Sequence, residues 1–412
     1  MDAVLDAGRL RGQSLLVCIC TFSVMILDGF DVQIIGFAAP ALVAEFGIER
    51  SALGPALAAS VLGMCLGAIA IGRIGDRFGR RPALLASTVL FGATTLLAAT
   101  ATGVASLAAW RFLTGLGLGA ALPSAVALMA EFSPEQRRSQ LIVGSLLGVP
   151  IGGILGSALA AELVPEFGWR AIFIAGGVLP LIAAAALLAL LPESPRFLAA
   201  RAHLARTADN HCAFRAAFAP GLARDTWVLA LAFFANMIAV YAFFSWVPLV
   251  LTSVGFPLDQ AVRSGLVFNL AGIAGSLLNA WLIARIGSRL PLVLVASIAI
   301  FALVGLTCVA AFGDNALPNA AIYFAAIAAA GFGIHALQTG MYIVSAHVFP
   351  TECRTSGVGF ASGAGRVGGI LSSFAGGALL AAGGAPGFFV GIAVVLLLGV
   401  AGLLALRRHV RS

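Results

Sequence analysis

Four ionisable residues stand where a chain this apolar has least use for them. Asp28 and Asp31 lie three residues apart in "VMILDGFDVQIIGFAAPAL" (24–42), Arg111 in "AAWRFLTGLGLG" (108–119) and Arg366 in "ASGAGRVGGI" (361–370). Each interrupts a run long enough to cross a bilayer, where a central charge costs at least about 2.5 kcal/mol. Residue type suggests the chemistry. Two carboxylates roughly 60° apart on a helix share a face, and close together in low dielectric they resist being charged at once, so one can carry a proton. A guanidinium is a planar fork of donors that grips a carboxylate through two bonds. The structural alternative is a set of ion pairs tying helices together. It explains why two acids balance two arginines, but not why such pairs stand where Leu would pack, since buried ion pairs add little stability.

These residues need membrane helices to hold them. Of 412 residues 61% are hydrophobic and 10% charged, with mean hydropathy +1.05, against about 45–50% and 25% in soluble domains. The chain reads as an all-α integral membrane protein. Runs of about 20 apolar residues fall at 14–37, 51–72, 82–102, 105–131, 140–162 and 170–191, then at 226–251, 262–284, 290–312, 319–345, 355–381 and 387–406. Six spans (1–191) and six more (226–412) flank a polar segment, 192–225, with five Arg, which reads as a cytoplasmic linker. All 24 basic residues are Arg, and most fall on one side of the spans; only Arg50, Arg170 and Arg263 fall on the other. Positive loops stay inside, so both termini are expected in the cytoplasm, with lipid around the spans.

The charge of +7 is thereby accounted for, without nucleic acid as a partner. With no Lys there is no phosphate-binding Gly-x-x-x-x-Gly-Lys motif, which excludes ATP-driven pumping within this chain. The five His are scattered, so neither a metal site nor an enzyme's catalytic cluster is expected. Cys18 and Cys20 read as small hydrophobes. No cofactor is implied; the driving ion would be the proton. At about 1.5 Å per residue, Asp28 lies about 21 Å from the inner face, Asp31 comes level with Arg111, and Arg366 lies about 18 Å in.

"GRIGDRFGRR" (72–81) is the most specific motif. Gly72 and Gly79 permit close approach and tight turns, while Asp76, Arg77 and Arg80 can pair across the inner ends of helices, a gating clasp. "ARIGSRLP" (284–291) echoes it in the second half. The motif resembles the loop between helices 2 and 3 of the major facilitator superfamily, and the resemblance runs over essentially the whole chain. "DGFD" (28–31), the stretch 111–139, "GVPIGGILG" (148–156), "FGWR" (167–170), "LPESPRFL" (191–198) and "RTSGVGFASGAGRVGGI" (354–370) resemble, more narrowly, the aromatic acid:proton symporters. Two features depart from that family: Ala284 stands where its second-half motif has an acid, and the linker is short.

The resemblance implies twelve helices in two six-helix bundles, alternating access around a midplane site, and proton-coupled uptake of an aromatic carboxylate by a monomer. A hydroxybenzoate or hydroxyphenylpropionate is the expected substrate. Asp28 and Asp31 would couple protons. Arg366 is favoured for the substrate carboxylate, in a Gly-lined space, with Arg111 either a second contact or a support for span 1. Phe30 and Tyr241 are candidates to sandwich the ring, as are Phe243, Phe244, Trp246 and Tyr342, although packing explains each as well. Gln338 would meet a ring hydroxyl. His335 would join a proton relay or make an interhelical hydrogen bond. A muconate-type acid or a sugar is the alternative substrate.

Overall fold

The computed structural model describes residues 12–133, 141, 144–193, 218–219, 221–312, 319–350, 353–406 and 408–410, and within them the side chains of 69–78, 130, 354 and 355 are not described. Eleven helices among the described residues are long and apolar enough to cross a membrane. They are α1 (Gln13–Phe46), α2 (Gly54–Phe78), α3 (Arg80–Ala98), α4 (Val104–Phe132), α5 (Gly148–Phe167), α6 (Trp169–Leu190), α7 (Ala223–Ser253), α8 (Leu258–Ile286), α9 (Arg289–Phe312), α10 (Ala320–Val348) and α11 (Arg354–Leu404).

The last of these is two spans. Gly384 takes φ 59° and ψ −155° inside the 51-residue α11, two residues before Pro386. Leu379 lies against both Gly387 and Gly391, which a straight helix would carry about 12 and 18 Å away. The chain folds back at Gly384, so the described residues make twelve spans.

Two edges differ from the sequence expectation. The first span does not stop near residue 37; α1 continues to Phe46 with Pro40 inside it and ends at Gly47, whose φ of 60° suits the left-handed position that closes helices. "GRIGDRF" is not a loop. It forms the last turns of α2, and the break comes at Gly79, φ 116°.

The described chain divides into two compact units, Met1–Phe46 with Pro55–Thr207, and Gly47–Gly54 with Ala208–Ser412. Helix pairs build each unit. In the first, α1 packs on α5 and α3 on α6; in the second, α7 packs on α11 and α8 on α10, and α9 also meets α11. Small residues make these approaches, as expected where lipid supplies no hydrophobic drive between helices. A Cβ on Gly29 would overlap the Val149 carbonyl, and one on Gly152 the Ile26 carbonyl. In the second unit Gly368 meets the Phe234 carbonyl, and Gly275 and Gly331 meet the backbones of Phe332 and Phe268. Close backbone approach at glycine thus recurs in both units. Large apolar side chains such as Ile182, Leu188 and Phe301 remain exposed, as a lipid-facing surface requires.

Candidate functional site

In the first unit four helices converge on one carboxylate. The Arg111 guanidinium of α4 donates from NH1 to Asp31 Oδ1 at 2.6 Å and from NH2 to the Asp31 carbonyl at 3.1 Å. NH2 also meets Ser60 Oγ of α2 at 3.2 Å. Thr95 of α3 donates its hydroxyl to the other carboxylate oxygen, Oδ2. Behind it Thr114 lies 3.0 Å from Thr94 and 3.5 Å from Thr95. Asp31 and Arg111 are both 0% exposed, so this is a fully desolvated, charge-assisted pair.

Asp28, one turn earlier on α1, is also buried. Between the two acids Gln33 reaches back to the Gly29 carbonyl at 3.3 Å. Phe30 is packed rather than open: Gly156 of α5 and Gly176 of α6 both press on its ring. "GVPIGG" supplies Gly148 and Gly152 to the α1–α5 seam.

At the start of α3 a second polar cluster gathers. Glu193, from "LPESPRFL", accepts the backbone N–H groups of Arg80 and Arg81 at 3.2 and 3.3 Å. A carboxylate at the N-terminus of α3 satisfies orphan donors and meets the positive end of the helix dipole. Arg80 also faces Glu131 of α4 at 3.7 Å, and Arg81 donates to the Leu188 carbonyl at 2.7 Å. The side chains of Gly72, Asp76 and Arg77 lie outside the described ones. Gly79 is the break between α2 and α3.

The second unit gathers the remaining candidates. Asn236 of α7 donates to Gln338 Oε1 of α10 at 2.6 Å. The Tyr342 phenol, one turn along α10, lies beside the Gln338 amide and within electrostatic reach of Arg366 on α11. Phe233 packs edge-on against Tyr342, centroids 5.0 Å apart. Tyr241 lies against Gly369 and 6.2 Å from Phe244. Arg366 is half-buried. Of the glycines beside it only Gly363 is open, while Gly365, Gly368 and Gly369 lie against Met237, Phe234 and Tyr241 of α7. His335 makes no interhelical bond among those found. Its Nδ1 meets Gly331 O of its own helix at 3.2 Å, and Phe268, Phe244 and Gly272 enclose the ring. Phe243 stacks on Phe268 at 4.5 Å, and Trp246 is fully buried.

Sequence reasoning missed Ser60 and Thr95. Their only sign is a hydroxyl in an apolar span, shared with more than twenty others. It also missed the Glu193 cap, although the acid was in view within "LPESPRFL". Among the described residues no three His, Cys, Asp or Glu side chains gather to hold a metal.

A family model described as Major Facilitator Superfamily matches residues 21–334. The chain is 33% identical over 409 positions to the 4-hydroxybenzoate transporter PcaK of Pseudomonas aeruginosa, covering 93% of this chain and 90% of that one. It is 34% identical over 425 positions to a gallate transporter of Pseudomonas putida, covering 95% and 93%. Among solved structures a D-xylose-proton symporter superposes with TM-score 0.78 at 17% identity, over 97% of this chain and 98% of that one, a likeness of fold.

Proposed function

Since the chain belongs to the major facilitator superfamily, and within it to the aromatic-acid transporters, we propose that it takes up a hydroxylated aromatic carboxylate together with protons. It is a multi-pass membrane transporter and not an enzyme. The observation that carries the substrate class is the similarity, over nine-tenths of its length, to transporters named for 4-hydroxybenzoate and gallate. The geometry supports a division of labour. Asp31 is committed to Arg111, and parting them would leave a fully buried guanidinium uncompensated. The exchangeable proton is therefore assigned to Asp28, and Arg111 to holding Asp31 in place. Arg366 takes the substrate carboxylate, with Tyr241 and Gln338 beside the ring and Phe30 acting through packing.

The transporter works as a monomer in the bacterial inner membrane, both termini cytoplasmic, with residues 192–225 as the linker between bundles 1–191 and 226–412. Gly72, Asp76, Arg77, Gly79 and Arg80 gate the inner side. No cofactor takes part; the proton gradient drives accumulation. The test is uptake into vesicles of labelled hydroxybenzoates, muconate and xylose, with and without a protonophore. Accumulation of a hydroxybenzoate that collapses with the protonophore is expected. Accumulation of muconate or xylose alone would overturn the reading.

A further inference from the structure

The Asn236–Gln338 pair is a polar device that its own hydrogen bond does not exhaust. With Asn236 Nδ2 bonded to Gln338 Oε1 at 2.6 Å, Asn236 Oδ1 remains buried without a partner, and the Gln338 amino group, which lies against the Tyr342 phenol, keeps a second N–H to give. Asn236 is 0% exposed. Buried polar groups are almost always satisfied, and exceptions call for an explanation. Reversing both amides together leaves the same inventory, one carbonyl and one amino group, and reversing either alone would set like atoms face to face.

We infer that Asn236 and Gln338 form a subsite that reads a phenolic hydroxyl on the transported ring. A hydroxyl is one donor and one acceptor, so it can give its proton to Asn236 Oδ1 and accept from Gln338 Nε2. A carboxylate only accepts, and would face the Asn236 carbonyl with its own negative oxygens. The neighbours fit a ring. Tyr342 lies beside Gln338 and is also reached by the Arg366 charge, with Phe233 edge-on to it. The guanidinium and the amide pair thus flank one phenol, matching a molecule with a carboxylate at one end and a hydroxyl at the other. This subsite rests on the aromatic-acid reading and adds to it the discrimination between hydroxylated and plain acids. A site built to bond a hydroxyl rejects the analogue that lacks it, because its own polar atoms are then left unpaired.

The test is equilibrium binding of labelled benzoate, 3-hydroxybenzoate and 4-hydroxybenzoate to the purified full-length chain. One net hydrogen bond corresponds to up to about tenfold in affinity. The wild type is expected to prefer the better hydroxybenzoate over benzoate by about tenfold or more. Gln338→Leu, and Asn236→Leu with Gln338→Leu, are expected to bring that ratio to within about threefold of one. The single change at the half-buried Gln338 covers the case in which the double variant does not fold. A ratio that survives both variants, or benzoate and hydroxybenzoate weakened alike, would overturn the subsite while leaving aromatic-acid transport standing. A wild type that binds none of the three acids but binds muconate or xylose would overturn the parent reading, and this one with it.

Discussion

Replacing Asp31 by Asn keeps the shape of the side chain and removes its charge, so the Arg111 guanidinium is left 0% exposed without its ionic partner. Its 2.6 Å bond to Asp31 Oδ1 loses the ionic partner, while the bonds to the Asp31 carbonyl at 3.1 Å and Ser60 at 3.2 Å remain. Removing one partner of a buried pair costs about 3–5 kcal/mol. Thr95→Val deletes only the hydroxyl donated to Oδ2, one bond to a charged group, about 1.5–3 kcal/mol. Asp31→Leu with Arg111→Leu removes both charges, and replacements of that kind range from neutral to stabilising by about 1–4 kcal/mol. The internal control is Arg170–Glu45, with side chains 42% and 44% exposed; screened by solvent, such a pair contributes about 1 kcal/mol or less. The assay is reversible unfolding of purified protein in mixed micelles by SDS titration, followed by circular dichroism. The expected order of cost is Asp31→Asn, then Thr95→Val, with the double Leu variant and Glu45→Gln least affected. An Asp31→Asn protein no less stable than Glu45→Gln would refute the reasoning, as would a double variant worse than either single.

Three further outcomes follow. Asp28→Asn is expected to abolish accumulation in vesicles without the loss of stability seen for Asp31→Asn; accumulation still abolished by a protonophore would remove Asp28 from the proton path. Arg366→Lys, which keeps the charge but not the planar fork, should weaken hydroxybenzoate binding about tenfold and Arg366→Ala about a hundredfold. Benzamide should respond far less, and equal losses for acid and amide would make Arg366 structural. His409 meets Ser288 Oγ at 3.2 Å, and Val410 N donates to that same oxygen at 3.0 Å. Burial first, then the Arg289 charge, hold its imidazole below the ordinary 6.5, against the Leu406 backbone and Asp225. A depressed imidazole stabilises the docked tail above the ordinary value and ceases to as pH falls below it. Amide exchange at Val410, corrected for intrinsic rate, should be less protected at about pH 5.5 than at about pH 7.5, and His409→Asn should remove the difference.

Span existence was legible because bilayer thickness dictates length, and twelve apolar runs of that length stand out. Their ends were less so. Pro40 looks like a stop, yet α1 carries it, and Gly79 breaks the chain only because its backbone takes a positive φ. Asp31 and Arg111 were legible as charges with no cheap place to go. Ser60 and Thr95 were not, because a hydroxyl in a helix ordinarily bonds back to a carbonyl one turn earlier, as Thr88 and Ser345 do. Nothing in the local sequence tells the hydroxyl that turns to a carboxylate from the one that turns to its own backbone. The glycines around Arg366 were visible, but which helix fills them is decided by tertiary packing. The Asn236–Gln338 bond joins residues 102 apart in sequence, and no spacing rule connects them.

The reversal at Gly384 leaves the last two spans without a connecting loop to absorb changes in length. One added residue there would turn the following arm by about 100°. It would part Gly391 from Leu379 and rotate Phe388 and Phe389, both 0% exposed, towards other surroundings. An epitope tag or protease site placed at 383–387 would therefore act as a register shift and not as a passive label of membrane sidedness. Insertion libraries of this transporter should show the joint as an intolerant notch.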